Sequence, residues 1–190
     1  MNDNNYTTER IFNPIDGVGV KIIEYLGDDK TVHIPLRINK ILVLAIGENT
    51  FANKQLETVT LPTSVKHILH NSFPHNLLTN IEIPIGVTYI GQKAFEGNKL
   101  DTVIFHQNLT TIGRKAFADN ELTSIEIPEK VTLIGKHAFA GNKITSITIG
   151  ADVYIENDDI GDPDFIECYN QNGKAAGVYE VTNEKWTKVN

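Results

Sequence analysis

The sequence predicts an α/β repeat solenoid with a cap at each end, and three observations carry that reading. Apolar columns recur at a fixed step of 22 residues through the middle of the 190-residue chain. Inside each step the pattern passes from period two to a compact turn. At both ends the columns fail and other elements begin. Units of this size cannot bury an apolar face alone; stacking them makes one continuous core, and the open stack needs a plug at each end.

The columns are explicit. Leu61, Ile83, Phe105, Ile127 and Ile149 stand 22 residues apart, with Pro62, Pro84 and Pro128 following and His106 and Gly150 in place of proline elsewhere. Val65, Val87, Leu109, Val131 and Val153 form the next column, then Ile68, Ile90, Ile112 and Ile134, followed by Gly91, Gly113 and Gly135. Phe73, Phe95, Phe117 and Phe139 align, as do Asn76, Asn98, Asn120 and Asn142. An earlier unit contributes Val43, Ile46, Gly47, Phe51, Leu56 and Val59, but its Ile34-Pro35 lies five residues too far upstream, so it carries an insertion.

Taken in chain order, residues 1–8 read as a disordered start, and residues 1–33 as that start plus a β-hairpin cap. Strands over Glu9–Phe12 and Val18–Leu26 flank the turn signal Asn13-Pro14-Ile15-Asp16-Gly17, and Thr31–Ile34 is a third strand. The repeats occupy residues 34–156. In the type unit, Leu122–Asn142, Ile125 and Ile127 alternate with Ser124 and Glu126 as a short one-sided strand. Pro128 ends that strand because it cannot donate to a ladder. Val131–Ile134 is a second extended piece, and Gly135 turns the chain. Lys136–Ala140 is expected to form one helical turn that drives Phe139 inward, closed by the left-handed tolerance of Gly141-Asn142. Residues 157–190 form an α+β cap. The pattern is expected to fail after Val153, because Glu156 falls where isoleucine should stand. Asp162 then caps a helix with Pro163 at its first position, Phe165–Asn170 fills it and Asn172-Gly173 ends it. Val178–Val181 and Trp186–Val189 close the chain as a hairpin, with Trp186 as a plug.

At this point a resemblance is clear. The stretch Ile127 to Phe139 (Ile-Pro-Glu-Lys-Val-Thr-Leu-Ile-Gly-Lys-His-Ala-Phe) resembles the BspA-like, or Treponema-type, leucine-rich repeat, and Ile83 to Phe95 resembles it too. The tail with Asn172-Gly173-Lys174, Ala176-Gly177, Tyr179 and Trp186 is similar to the ending of many such bacterial chains. The resemblance spans residues 18–190. It implies a right-handed β-α superhelix and a bacterial protein, often at the cell surface or secreted, some members adhering to host matrix proteins such as fibrinogen or fibronectin. It implies no ligand-binding residue here. The cysteine variant of the asparagine column is absent, and one unit departs with Leu69 for glycine, Ser72 for alanine and Pro74.

Composition narrows the chemistry. A net charge of −7 argues against nucleic acid as a partner, and one cysteine, Cys168, precludes an intrachain disulfide. No apolar run approaches the ~20 residues that span a bilayer. Met1–Arg10 lacks the apolar core of a signal peptide, which leaves either another route or a leader outside this chain. His67, His70 and His75 suggest zinc only superficially, since they fall in three different columns. Asp158, Asp159, Asp162, Asp164 and Glu167 form an acidic loop whose spacing does not match an EF-hand. With no nucleophile motif and no phosphate loop, the chain reads as a protein-binding module with no cofactor and no catalytic residue.

Two surfaces could meet a partner. Outward strand positions form one ladder of Thr58, Asn80, Thr102, Ser124 and Ser146 and another of Thr60, Glu82, Ile104, Glu126 and Thr148, expected on a concave sheet. The turn side stacks Lys93, Arg114, Lys115, Lys136 and His137 into an expected basic ridge. The reading is a surface or secreted adhesion module contacting a host or matrix protein through the repeat face; an intracellular scaffold for another bacterial protein is the alternative, favoured by Met1 and the lack of a leader.

Overall fold

The computed structural model describes residues 3–13 and 17–189. Its strands are β1 (Tyr6–Asn13), β2 (Gly17–Tyr25), β3 (Thr31–His33), β4 (Arg37–Ile38), β5 (Ile41–Ile46), β6 (Thr58–Thr60), β7 (His67–Ile68), β8 (Asn80–Glu82) and β9 (Tyr89–Ile90). They continue as β10 (Thr102–Ile104), β11 (Thr111–Ile112), β12 (Ser124–Glu126), β13 (Leu133–Ile134), β14 (Ser146–Ile149) and β15 (Tyr154–Ile155). Helix α1 (Pro163–Gln171) and strands β16 (Gly177–Thr182) and β17 (Lys185–Lys188) complete the chain. The whole is a β-solenoid of about six turns with one short helix.

Register confirms the step. Thr111 pairs with Tyr89 and with Leu133, Thr102 with Asn80, and Ser124 with Ser146, each 22 residues apart and parallel. One side of the stack is a continuous nine-stranded sheet that runs β1-β2-β5-β7-β9-β11-β13-β15, with β4 on β5. The other side is three separate sheets: β3 with β6, β8 with β10, and β12-β14-β16-β17. Between them lies the core. Phe51, Phe73, Phe95 and Phe117 are fully buried and their rings stack nearly parallel, 4.9, 5.3 and 5.2 Å apart, with Phe139 5.6 Å beyond. The column is plugged at its start by Tyr25, 5.2 Å from Phe51, and by Tyr6 on Tyr25.

The asparagine column does something its turn reading missed. Asn120 Oδ1 accepts from Leu100 N–H at 3.0 Å, while Nδ2 donates to the carbonyls of Phe95 (3.0 Å) and Phe117 (3.1 Å). Asn76, Asn98 and Asn142 repeat the arrangement. Each amide thus bolts its own unit to the one before and satisfies buried backbone groups at the tight corner. The left-handed residue of that corner is Gly141 (φ 72°), as expected; Asn142 is not left-handed.

Four expectations are corrected. The turn before each phenylalanine is not helical: Asn49, Asn71, Lys93, Lys115 and His137 have φ between 53° and 58°. Ala138 N–H bonds Gly135 O at 3.1 Å, so Gly135–Ala138 is a β-turn with the positive φ at its third residue, as type II requires. Residues 3–8, expected to be disordered, form a 3-10 turn and the start of β1. On one side the ladder begins at Thr31, where β3 pairs with β6, instead of at residue 34. At the far end the stack does not fail after Val153. The register slips by one residue, Ile155 takes the expected isoleucine place opposite Ile134, and Phe139 N–H still bonds Ile160 O at 3.0 Å.

Other expectations hold. The insertion in the first unit is a small hairpin, β4-β5, turned by Asn39 and Lys40 at positive φ. The β1-β2 hairpin is present, although its turn at Pro14–Asp16 lies outside the described residues. Asp162 Oδ1 caps α1 by accepting from Phe165 N–H at 2.9 Å, and its Oδ2 accepts from Trp186 Nε1 at 3.1 Å. Trp186 packs edge-on against Phe165 and is 9% exposed, so it plugs the end. Cys168 is buried in that cap. Among the described residues no helix is long and apolar enough to cross a membrane.

Candidate interaction surface

Alternation places the two ladders on the outside of the strand side. In β6, β8 and β12 the flanking residues are exposed and the central one is buried, so Thr58, Thr60, Asn80, Glu82, Ser124 and Glu126 face out. Thr102 and Ile104 are exposed on β10, and Ser146 and Thr148 are partly covered on β14, which pairs edge to edge with β16. Ile104 is 50% exposed, an apolar side chain among polar neighbours. Glu82 pairs with His106 at 3.1 Å. The expected single sheet is not continuous here: β6 and β8, and β10 and β12, do not join into a ladder.

The second break falls beside Phe105; at the first, Leu61 N–H likewise has no backbone acceptor among the described residues. Phe105 stands in a column otherwise filled by leucine and isoleucine, and its ring packs edge-on at 5.4 Å against Phe117. Ile83 N–H bonds Ile104 O and Ile127 N–H bonds Thr148 O, both at 2.8 Å. Phe105 N–H makes no such bond to Glu126 among the described residues. Val103 and Phe105 are left partly exposed, whereas their counterparts Ile81, Ile83, Ile125 and Ile127 are buried. A cleft of 620 Å³ lies over this gap, lined by Val103, Ile104, Phe105, Glu126 and Ile127 among others.

The turn side is less basic than its sequence suggests. Glu96, 5% exposed, bridges Lys93 (3.0 Å) and Lys115 (3.7 Å). Asp159 does the same for Lys136 (3.8 Å) and His137 (2.6 Å). Arg114 is exposed. The ridge is therefore a row of cations only partly compensated, by two carboxylates that lie in neighbouring columns, with Arg114 in no ion pair among the described residues. Asp159 and Asp162 of the acidic loop are thus committed to ion pairing and capping, and Glu167 accepts from Gln171. The Asp158 side chain is not described. His67 and His70 each meet the Tyr89 ring edge-on, at 6.4 and 6.2 Å, and His70 Nδ1 accepts from Gln92 N–H. His75 is exposed on the opposite turn. Burial first, and the charge of Lys66 second, hold the His67 pKa below its ordinary value.

A stack of 22-residue parallel rungs with an aromatic spine and an asparagine ladder defines a leucine-rich-repeat solenoid. Residues 44–171 match the BspA type leucine rich repeat region in six copies, and the chain belongs to that family. Among solved structures it is similar to the leucine rich repeat protein of T. pallidum (19% identity, 90% of this chain and 94% of that one, TM-score 0.62). It is also similar to the pneumococcal vaccine antigen PcpA (18% identity, 80% of this chain and 50% of that one, TM-score 0.56). At these identities the likeness is one of fold. Comparison with curated protein sequences gives no match.

Proposed function

We propose that the chain is a non-catalytic module that binds another protein through the outer strand side of its repeats. One observation carries the reading: the side chains of Thr58, Thr102, Ser124 and Glu126 point outward with no role in the stack, while the inward residues of the same strands, Val59, Val103 and Ile125, are buried or half-buried. Solenoids present such repeated outward positions as a binding surface. The partner is a host or matrix protein if the chain acts at the bacterial surface or is secreted, as family resemblance suggests, and another bacterial protein if it acts inside the cell.

Cell fractionation with protease shaving of intact cells separates these partners. Protein cleaved on intact cells, or found in the medium, supports adhesion; protein confined to the cytosol and untouched by protease ends it. Binding itself is tested with the double variant Glu82→Lys and Glu126→Lys in a pull-down from the matching compartment. Retention of every captured partner by that variant would refute the strand-side reading.

A further inference from the structure

We infer that the cleft between β10 and β12 is a docking slot for an extended peptide that carries a basic side chain beside an apolar one. The inference rests on the strand side being the binding surface and assigns a place on it.

Three features meet there. The floor is apolar and partly open: Val103 and Phe105 are half-buried where β10 and β12 do not join, and Ile104 is exposed at an outward position. The rim is acidic: Asp101, Glu126 and Glu129 line the cleft, and none has a side-chain partner among the described residues. The one cation of the lining, Lys130, donates to Asn108 Oδ1 at 3.0 Å. The backbone also contributes, since Phe105 N–H lacks the acceptor that Ile83 and Ile127 have in the same column. An extended strand offers main-chain carbonyls to such a donor and alternates its side chains between floor and rim. The 620 Å³ volume lies within the range of ~300–1,000 Å³ typical of sites for small ligands, enough for a few side chains. Three unpaired carboxylates against an occupied amine select a cationic occupant over an anionic one.

The probe is a fluorescein-labelled heptapeptide of alternating arginine and valine, with an alternating glutamate and valine heptapeptide as control, read by anisotropy on the full chain. The arginine peptide is expected to bind and the glutamate peptide not. Phe105→Ile removes the aromatic part of the floor and gives the rung the side chain of the closed Ile83 and Ile127 rungs while every carboxylate stays, so binding should weaken by at least about tenfold. Ile104→Ser, at an exposed position that cannot upset folding, should weaken it several-fold. If Phe105→Ile and Ile104→Ser bind as the parent does while Glu126→Lys does not, the peptide is held by surface charge alone; the slot is refuted and the strand-side reading stands. If the arginine peptide does not bind the parent, the slot is refuted outright. If the parent self-associates on sedimentation and Phe105→Ile abolishes it, the occupant is a second copy and the peptide assignment falls.

Discussion

The asparagine ladder makes the sharpest claim about stability. Replacing Asn120 with alanine removes one acceptor and one amide donor from a corner where Leu100 is fully buried. The carbonyls of Phe95 and Phe117 each keep a second amide, from Asn98 and Asn142. Leu100 N–H keeps nothing among the described residues, since Asn120 Oδ1 is its partner. An orphaned buried donor costs about 1–3 kcal/mol, and the two weakened carbonyls add to it, so Asn120→Ala should lose about 2–4 kcal/mol. Asn142 makes the same set of bonds, but it is only half-buried near the C-terminal end, where water can replace the amide. Asn142→Ala should lose about half as much. Urea unfolding followed by circular dichroism gives both values, with a constant m-value as the check that one cooperative unit is being read. Equal losses for the two variants, or a loss under about 1 kcal/mol for Asn120→Ala, would mean that water satisfies the buried corner and that the ladder is not the tie argued here. Asn120→Asp keeps the acceptor and places a carboxylate against two carbonyl oxygens. It should be worse than alanine at neutral pH and recover as the acid protonates.

Phe117→Ala removes the centre of the stacked column and should cost ~3–5 kcal/mol in a thermal or urea melt; an unchanged melt would refute the column. Gly113→Ala places a methyl group 2.6 Å from Gln92 N and Gly91 C, backbone that cannot swing aside, and should cost about 1–3 kcal/mol. Asp162→Ala removes the cap of α1 and the partner of Trp186, so a loss of about 0.5–2 kcal/mol should come with a red shift in tryptophan emission. The depressed pKa of His67 means that below 6.5 the unfolded chain binds a proton that the folded chain resists, so stability should rise with pH from the lowered folded value up to 6.5. His67→Gln should flatten part of that slope; melting temperatures that fall equally with acid in both proteins would refute it.

Much of the fold was legible because the apolar columns obey one period, and any 22-residue register puts Ile90, Ile112 and Ile134 in one line. The misses share a physical origin in effects that hydropathy does not encode. Lys115 and His137 are not residues that announce positive φ, yet the tight corner imposes it at a cost of roughly 1–3 kcal/mol, offset by the packing around it. Asn49 and Asn71 in the same column were the available hint. Tyr6 to Thr8 read as disorder because none of the three is fully buried, so that end of the edge strand lacks an alternating pattern. The slip at Ile155 is a one-residue deletion, invisible to a rigid period. Glu96 and Asp159 offset part of the basic ridge from other columns, so alignment down one column could not reveal the pairs. Phe105 reads in its column as one more apolar residue, and the open rung beside it is visible only in the packed structure.

The two sides of the stack are built to different tolerances, and that difference decides how its function can be probed. The continuous sheet, the phenylalanine spine and the asparagine ladder are shared by consecutive units, so a change in any of them disturbs its neighbours. The three short sheets on the other side leave their outward residues outside that scheme, and surface changes of this kind usually shift stability by less than about 0.5 kcal/mol. Glu82 and Glu126 can therefore be reversed in charge with little effect on folding, and a loss of binding in such variants reports contact with a partner. Phe105 is the exception, an inward but only half-buried residue beside the cleft. Because Ile83 and Ile127 stand on closed rungs while Leu61 stands on an open one, Phe105→Ile asks a direct question: whether binding at β10 and β12 depends on the large ring itself.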